Sequence, residues 1–174
     1  EIVDVSDILE GVDSKIFSSA LEKKGRILGM RLNGFAGFLG RELQPGYRLG
    51  TEFSGRAKIY AGVGGLIHSD EYDRHSPLKY GLTSEIIKKM EEVLKVGSKD
   101  AYVFVADMED KGRRALQAVY ERAQEVFVGV PKEVRKANAN GTTSFLRPMP
   151  GAARMYPETD VSLIRPNLKG IKFP

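Results

Sequence analysis

Residues 101–127 read AYVFVADMEDKGRRALQAVYERAQEVF, and the two halves of this stretch follow different periods. Ala101 to Ala106 is an unbroken apolar run rich in β-branched and aromatic side chains, short enough for one buried strand. From Asp107 onward, apolar residues recur at helical spacing. Ala115, Leu116, Val119, Ala123, Val126 and Phe127 share one face, and Asp107 is placed to cap the helix.

Outward from this unit the two periods alternate. Thr83 precedes a second amphipathic helix whose apolar face is Ile86, Ile87, Met90, Val93 and Leu94. Arg26 to Leu32 reads as a strand, Val63 to His68 as a shorter one, and Thr142 to Arg147 as another after the Asn140-Gly141 turn. After Asp13, the residues Ile16, Phe17, Ala20 and Leu21 mark a short helix that Gly25 ends. Thr51 to Tyr60 suits a helix with Phe53, Ala57 and Tyr60 inward. Together these elements predict an α+β fold, a two-layer sandwich. Its roughly four-stranded, mostly antiparallel sheet carries helices on one face. The character changes at Pro131, and four prolines follow between Pro148 and Pro166. The expected division is a domain over 1–130 and a strip over 131–174 that returns to another body.

The chain has 174 residues, 41% hydrophobic and 29% charged, enough to bury a core without staples. It has no cysteine and only two histidines, which excludes disulfides, thiolate metal sites and a histidine-rich metal site. No apolar run reaches membrane-spanning length and no signal peptide opens the chain, so the expectation is a cytoplasmic protein without a membrane partner. The charge is uneven. Residues 1–22 carry one lysine against six acids, whereas residues 23–58 carry eight Lys/Arg against Glu42 and Glu52. From Pro131 to the end, eight basic residues face three acids. Phosphates reward such basic blocks through counterion release, so nucleic acid is a reasonable partner; an unevenly charged solvated surface is the plainer reading.

Residues 33–53, NGFAGFLGRELQPGYRLGTEF, combine many glycines with bulky apolar side chains, the mark of a tightly packed loop with one or two short helical turns. Gly46 after Pro45 suits a turn with positive φ. Arg41, Arg48 and Arg56, with Lys58, can form a phosphate-contacting rim; alternatively the arginines pair locally with Glu42 and Glu52. Gly34, Gly37 and Gly40 lack the strand–loop–helix setting and the Gly-Lys-Ser/Thr ending of a nucleotide-cradling loop. His68, Asp70, Glu71, Asp73 and His75 fit no regular ligand spacing and read as a solvated loop. In Ala153 to Val161, ARMYPETDV, an extended chain puts Arg154, Tyr156, Glu158 and Asp160 on one face. Two carboxylates there can hold Mg²⁺ and an arginine a phosphate; the polar face of an edge strand, favoured by Pro157, is the other reading.

FLGRELQPGYRLGTEF (38–53), GVGGLIHSDEYDRHSPLKYGLTSE (62–85) and NANGTTSFLRPMPGAARMYPETDV (138–161) together resemble the E subunit of archaeal glutamyl-tRNA(Gln) amidotransferase. The resemblance runs in order over nearly the whole chain, with a small insertion around Arg74 to Ser76. It implies a GAD-type, DCoH-like insertion domain, shared with bacterial aspartyl-tRNA synthetases and turned toward tRNA. Members of that family use ATP and Mg²⁺ to phosphorylate the glutamyl side chain of Glu-tRNA(Gln). Ammonia from an amidase-type D subunit, joined to them in a heterotetramer, displaces the phosphate. The resemblance places Arg154, Glu158 and Asp160 near that reaction; the residue pattern makes Glu158 and Asp160 the candidate metal ligands and Arg41, Arg48, Arg56 and Lys58, in the basic block, the candidates for tRNA contact. A fragment of this kind is expected to be inactive alone and to need no cofactor of its own. An insertion domain of a synthetase and a non-catalytic interaction domain are the alternatives.

Overall fold

A computed structural model describes residues 1–72, 79–129 and 131–149. The strands are β1 (Ile2–Asp4), β2 (Arg26–Leu32), β3 (Glu42–Gln44), β4 (Tyr47–Arg48), β5 (Ile67–His68), β6 (Ala101–Asp107), β7 (Glu133–Ala137) and β8 (Thr143–Pro148). The α-helices are α1 (Ser6–Leu9), α2 (Lys15–Glu22), α3 (Leu49–Ala61), α4 (Ser84–Val93) and α5 (Glu109–Val126). The main sheet has the order β1-β2-β6-β5 and every pairing in it is antiparallel. Its spine is the seven-residue ladder from Arg26↔Asp107 to Leu32↔Ala101.

This is the expected α+β class and the expected four-stranded sheet, but helices cover both of its faces. Ala101, Val103 and Val105 of β6 join Leu28, Met30 and Leu32 of β2 in a core with α3 and α5. Tyr102, Phe104 and Ile27 point the other way, into a second core with Leu9 of α1, Phe17 of α2, and Ile87 and Met90 of α4. A strand covered on both sides is apolar throughout, which is why 101–106 shows no alternation. Gly29 permits this second cover to come close: an added Cβ would lie 3.2 Å from Leu94.

Several boundaries differ from the sequence reading. Asp107 is the last residue of β6, paired with Arg26, and its carboxylate takes the Met108 amide at 2.7 Å; α5 begins at Glu109 with no side-chain cap. The strand expected over 63–68 is only two residues long, and β1, α1 and β7 were not anticipated. The packed loop at 33–53 contains a hairpin, β3–β4, whose turn holds Gly46 at φ +71°. Tyr60 is not inward; Ala61 takes that place on α3, and Tyr60 lies flat on Phe145. Val126 and Phe127 are also exposed.

Candidate functional site

Helix α3 owes its position to a stripe formed by Leu49, Glu52, Phe53, Arg56 and Ala57, all buried. Two of these five are charged, an arrangement that survives only when each charge is paired. The partners come from α5, β4 and the β7–β8 hairpin. Arg135 of β7 reaches both oxygens of Glu52 at 3.3 Å, Arg122 of α5 reaches one at 3.4 Å, and the Tyr47 hydroxyl donates to the other at 2.6 Å. Arg56 lies 3.9 Å from Glu52, 3.6 Å from Glu125 and in contact with Glu133, which also meets Arg135. Three arginines thus balance three glutamates. The Arg56 guanidinium also lies 4.4 Å from the Phe145 ring centre, with Tyr60 stacked on Phe145 at 5.8 Å.

Burial alone would raise the Glu52 pKa. Hydrogen bonds from Arg135 and Tyr47, and the charges of Arg135 and Arg122, outweigh it and hold the carboxyl below its ordinary value. Burial, with donation to that carboxylate, pushes the Tyr47 hydroxyl above the usual phenol range. Burial works against charge on Arg135 too, and its bonds to Glu52 and Glu133 reverse the effect and raise its pKa. The cluster is a charged latch between α3, α5 and the hairpin.

The β3–β4 turn closes the latch from outside. The side-chain amide of Gln44 donates to the Thr143 carbonyl at 2.7 Å and accepts from the Thr143 amide at 2.8 Å, as a neighbouring strand would. The Phe145 backbone lies beside the Tyr47 hydroxyl and works against the rise in its pKa. Gln44 and Tyr47, the two ends of QPGY, therefore blunt the outer edge of β8.

The glycine-rich loop ahead of this turn is occupied internally. Asp100 accepts from the Gly34 amide at 2.9 Å and the Gly97 amide at 3.0 Å, bonds that depress its pKa. Asp70 accepts from the Gly40 amide at 3.1 Å and more weakly from that of Gly37. The segment around His68, expected to be a solvated loop, is part of the fold. His68 is buried with its ring against Gly50, Glu71 stands 3.4 Å from it, and Asp70 braces the loop. Asp73 and His75 lie outside the described residues.

Of the proposed rim, the structure brings Arg41 and Arg48 together. Both are exposed, Arg48 faces Glu42 across the hairpin, and the Leu49 amide bonds the Arg41 carbonyl at 3.2 Å. Arg41 lies over the ring of Phe38 at 5.9 Å. Lys58 is exposed but ten residues along α3 from Arg48, about 15 Å at helical rise. Arg56 is not on the rim: it is 5% exposed and spent on the latch. Arg154, Tyr156, Glu158 and Asp160 lie outside the described residues. Sequence reasoning missed Glu52, Arg122 and Arg135 as a unit. The available signal was that Glu52 and Arg122 fall on the apolar stripes of their helices.

The family described as GAD domain matches residues 17–116, more than half of the 174. The chain belongs to the GAD domain family. Within this GAD domain, β2 through the first turns of α5 fall in the matched span, and the latch ties that span to Arg122, Glu133 and Arg135 beyond it. The chain is also similar to the E subunit of glutamyl-tRNA(Gln) amidotransferase from Methanococcus maripaludis strain C7, at 54% identity over 164 residues, 94% of this chain and 25% of the relative. The E subunit from Methanocaldococcus jannaschii is 54% identical over 162 residues, 92% of this chain and 25% of the relative. That from Pyrococcus furiosus is 46% identical over 165 residues, 95% of this chain and 25% of the relative. The chain thus spans about a quarter of the length of the curated relatives it matches. Among the described residues, no helix is long and apolar enough to cross a membrane.

Proposed function

We propose that this GAD domain is part of a tRNA-dependent amidotransferase that acts on Glu-tRNA(Gln) to give Gln-tRNA(Gln). The observation that carries the reading is 54% identity over 94% of the chain to a protein named for that activity. It also supports an amidotransferase over a synthetase as the parent protein. In this reading the side-chain carboxylate of the tRNA-linked glutamate takes the γ-phosphoryl group of ATP. Ammonia supplied by a D-subunit partner then displaces phosphate and leaves the amide. Among the described residues no group of three His, Asp or Glu is placed to hold a metal. The Mg²⁺ ligands of this reading are Glu158 and Asp160, with Arg154 beside the phosphate, all outside the described residues. They follow the β7–β8 hairpin, which is latched to α3 and α5, in the part of the 131–174 strip read as returning to the ATP-binding body.

The GAD domain itself faces tRNA through Arg41 and Arg48, the two arginines the hairpin brings together, with Lys58 as a more distant contact. The burial of Arg56 gives that side chain a structural role instead. The test is tRNA binding measured against salt concentration. Each phosphate contact contributes a log–log slope of roughly −0.7 to −0.9, so Arg41→Gln with Arg48→Gln should flatten the slope by up to about 1.8. An unchanged slope in this double variant would remove the rim from the tRNA interface. No binding by the wild type at low salt would favour a non-catalytic interaction domain.

A further inference from the structure

Phe38 stands beside the rim arginines and is 46% exposed, yet the chain beneath it is closely held. The Ala36 amide bonds the Lys99 carbonyl at 3.0 Å, the Phe38 amide bonds the Phe35 carbonyl at 3.0 Å, and the Arg41 amide bonds the Phe38 carbonyl at 3.1 Å. Leu39, the next residue, is fully buried, and its carbonyl accepts from the Gly50 amide at 2.8 Å. Asp70 holds the Gly37 and Gly40 amides. An apolar ring is thus presented to solvent on a backbone fixed at both sides. It meets the buried ring of Phe35 edge-on at 6.5 Å, and the Arg41 guanidinium lies over it at 5.9 Å. Among the described residues neither Arg41 nor Arg48 makes an ion pair, so their donors are available. Glu42 faces Arg48 across the hairpin, which leaves Arg41 as the stronger positive centre.

An exposed aromatic ring with a guanidinium over it and a second arginine nearby suits a nucleobase with its phosphate. The ring offers a π-face for stacking, and the cations meet the backbone charge. In a duplex the faces of each base are taken by its neighbours, so only an unpaired base can offer one. We propose that Phe38 receives an unpaired nucleotide of the tRNA, its base stacked on the ring and its flanking phosphates met by Arg41 and Arg48. The proposal rests on the reading that this rim faces tRNA. It adds what the rim recognises there, a single-stranded base as well as backbone charge. The fixed backbone suits that role, because a ring already in place loses little freedom when the base arrives.

The test is the affinity of the full-length protein containing this chain for unacylated tRNA(Gln), measured at several salt concentrations. Phe38→Ala and Phe38→Leu should each weaken binding by about 5- to 100-fold. The log–log salt slope should stay that of the wild type, because stacking releases no counterions. Leucine keeps an apolar contact with Phe35, so a loss in that variant is not a folding defect. Phe38→Trp keeps a stacking face and should bind within about 3-fold of the wild type. Wild-type affinity in Phe38→Ala would overturn the proposal, as would an equal loss in Phe38→Trp or a loss accompanied by a flatter slope. Intact tRNA affinity in Phe38→Ala with weakened assembly with a partner subunit would also overturn it, and would give the ring to a protein contact. Arg41→Gln with Arg48→Gln, measured alongside, separates the two readings. A flatter slope there with wild-type affinity in Phe38→Ala keeps the rim on tRNA and removes the stack alone. An unchanged slope there removes the tRNA-facing rim and the stack with it.

Discussion

Replacing Glu52 with glutamine should destabilise the domain by about 3 kcal/mol at pH 7. Breaking a buried ion pair from one side costs about 3–5 kcal/mol, because the opposite charge stays behind without compensation. Here Glu52 is 1% exposed and the charges left behind belong to Arg56, Arg122 and Arg135. Glutamine keeps the shape and one acceptor for Tyr47, and Arg135 can draw on Glu133 and on water, which argues for the low end of that range. For a chain of this size the melting temperature should fall by roughly 6–12 °C. The dependence on pH has a definite sign. The folded carboxyl is held below its ordinary value of 4.5, so its contribution is complete above that pH and is lost as pH falls through the folded value. The wild type should therefore approach the variant on acidification below about pH 4.5. Urea unfolding followed by far-ultraviolet circular dichroism at pH 7, 5 and 3.5 measures both effects. Glu85→Gln serves as control, since its pair with Lys89 is exposed and worth less than about 0.5 kcal/mol. If Glu52→Gln melts within about 1 °C of wild type at pH 7, or the gap is the same at pH 3.5, the Glu52 ion pairs do not hold the hairpin to α3 and α5.

Gly50→Ala should lower the melting temperature by roughly 5 °C or more, because its Cβ would lie 2.2 Å from the buried His68 ring; a wild-type melting curve would contradict the packing. Phe145→Ala removes the ring that lies under Tyr60 and Arg56 and should cost about 3–5 kcal/mol in denaturant unfolding, well above the cost of an exposed substitution such as Leu146→Ala. In the full-length protein, Glu158→Gln and Asp160→Asn should each slow single-turnover formation of the glutamyl phosphate by about 100- to 1000-fold at saturating tRNA, with tRNA affinity kept. Wild-type rates in both would withdraw the catalytic assignment of that strip and leave the family membership untouched.

Sequence alone determined the parts of this protein that rest on local order. The apolar run at 101–106, the periods of α4 and α5, the Thr83 cap with its hydroxyl accepting from the Ile86 amide, and the positive φ of Gly46 were legible because each follows from a few neighbouring residues. So was the resemblance, which rests on residue order and not on space. Tertiary structure decided whatever depends on residues far apart in the chain. Whether Arg56 faces phosphate or carboxylate is settled by Glu133, 77 positions away, and the Glu52–Arg135 pair spans 83. The second helical layer, the short strand β1 and the capping of β8 by Gln44 and Tyr47 likewise come from distant partners, which no local period encodes. A charged residue on a helical stripe carries the same letter whether it points to solvent or into a core. Only the presence of a counter-charge, brought in by the fold, offsets its desolvation and lets it be buried.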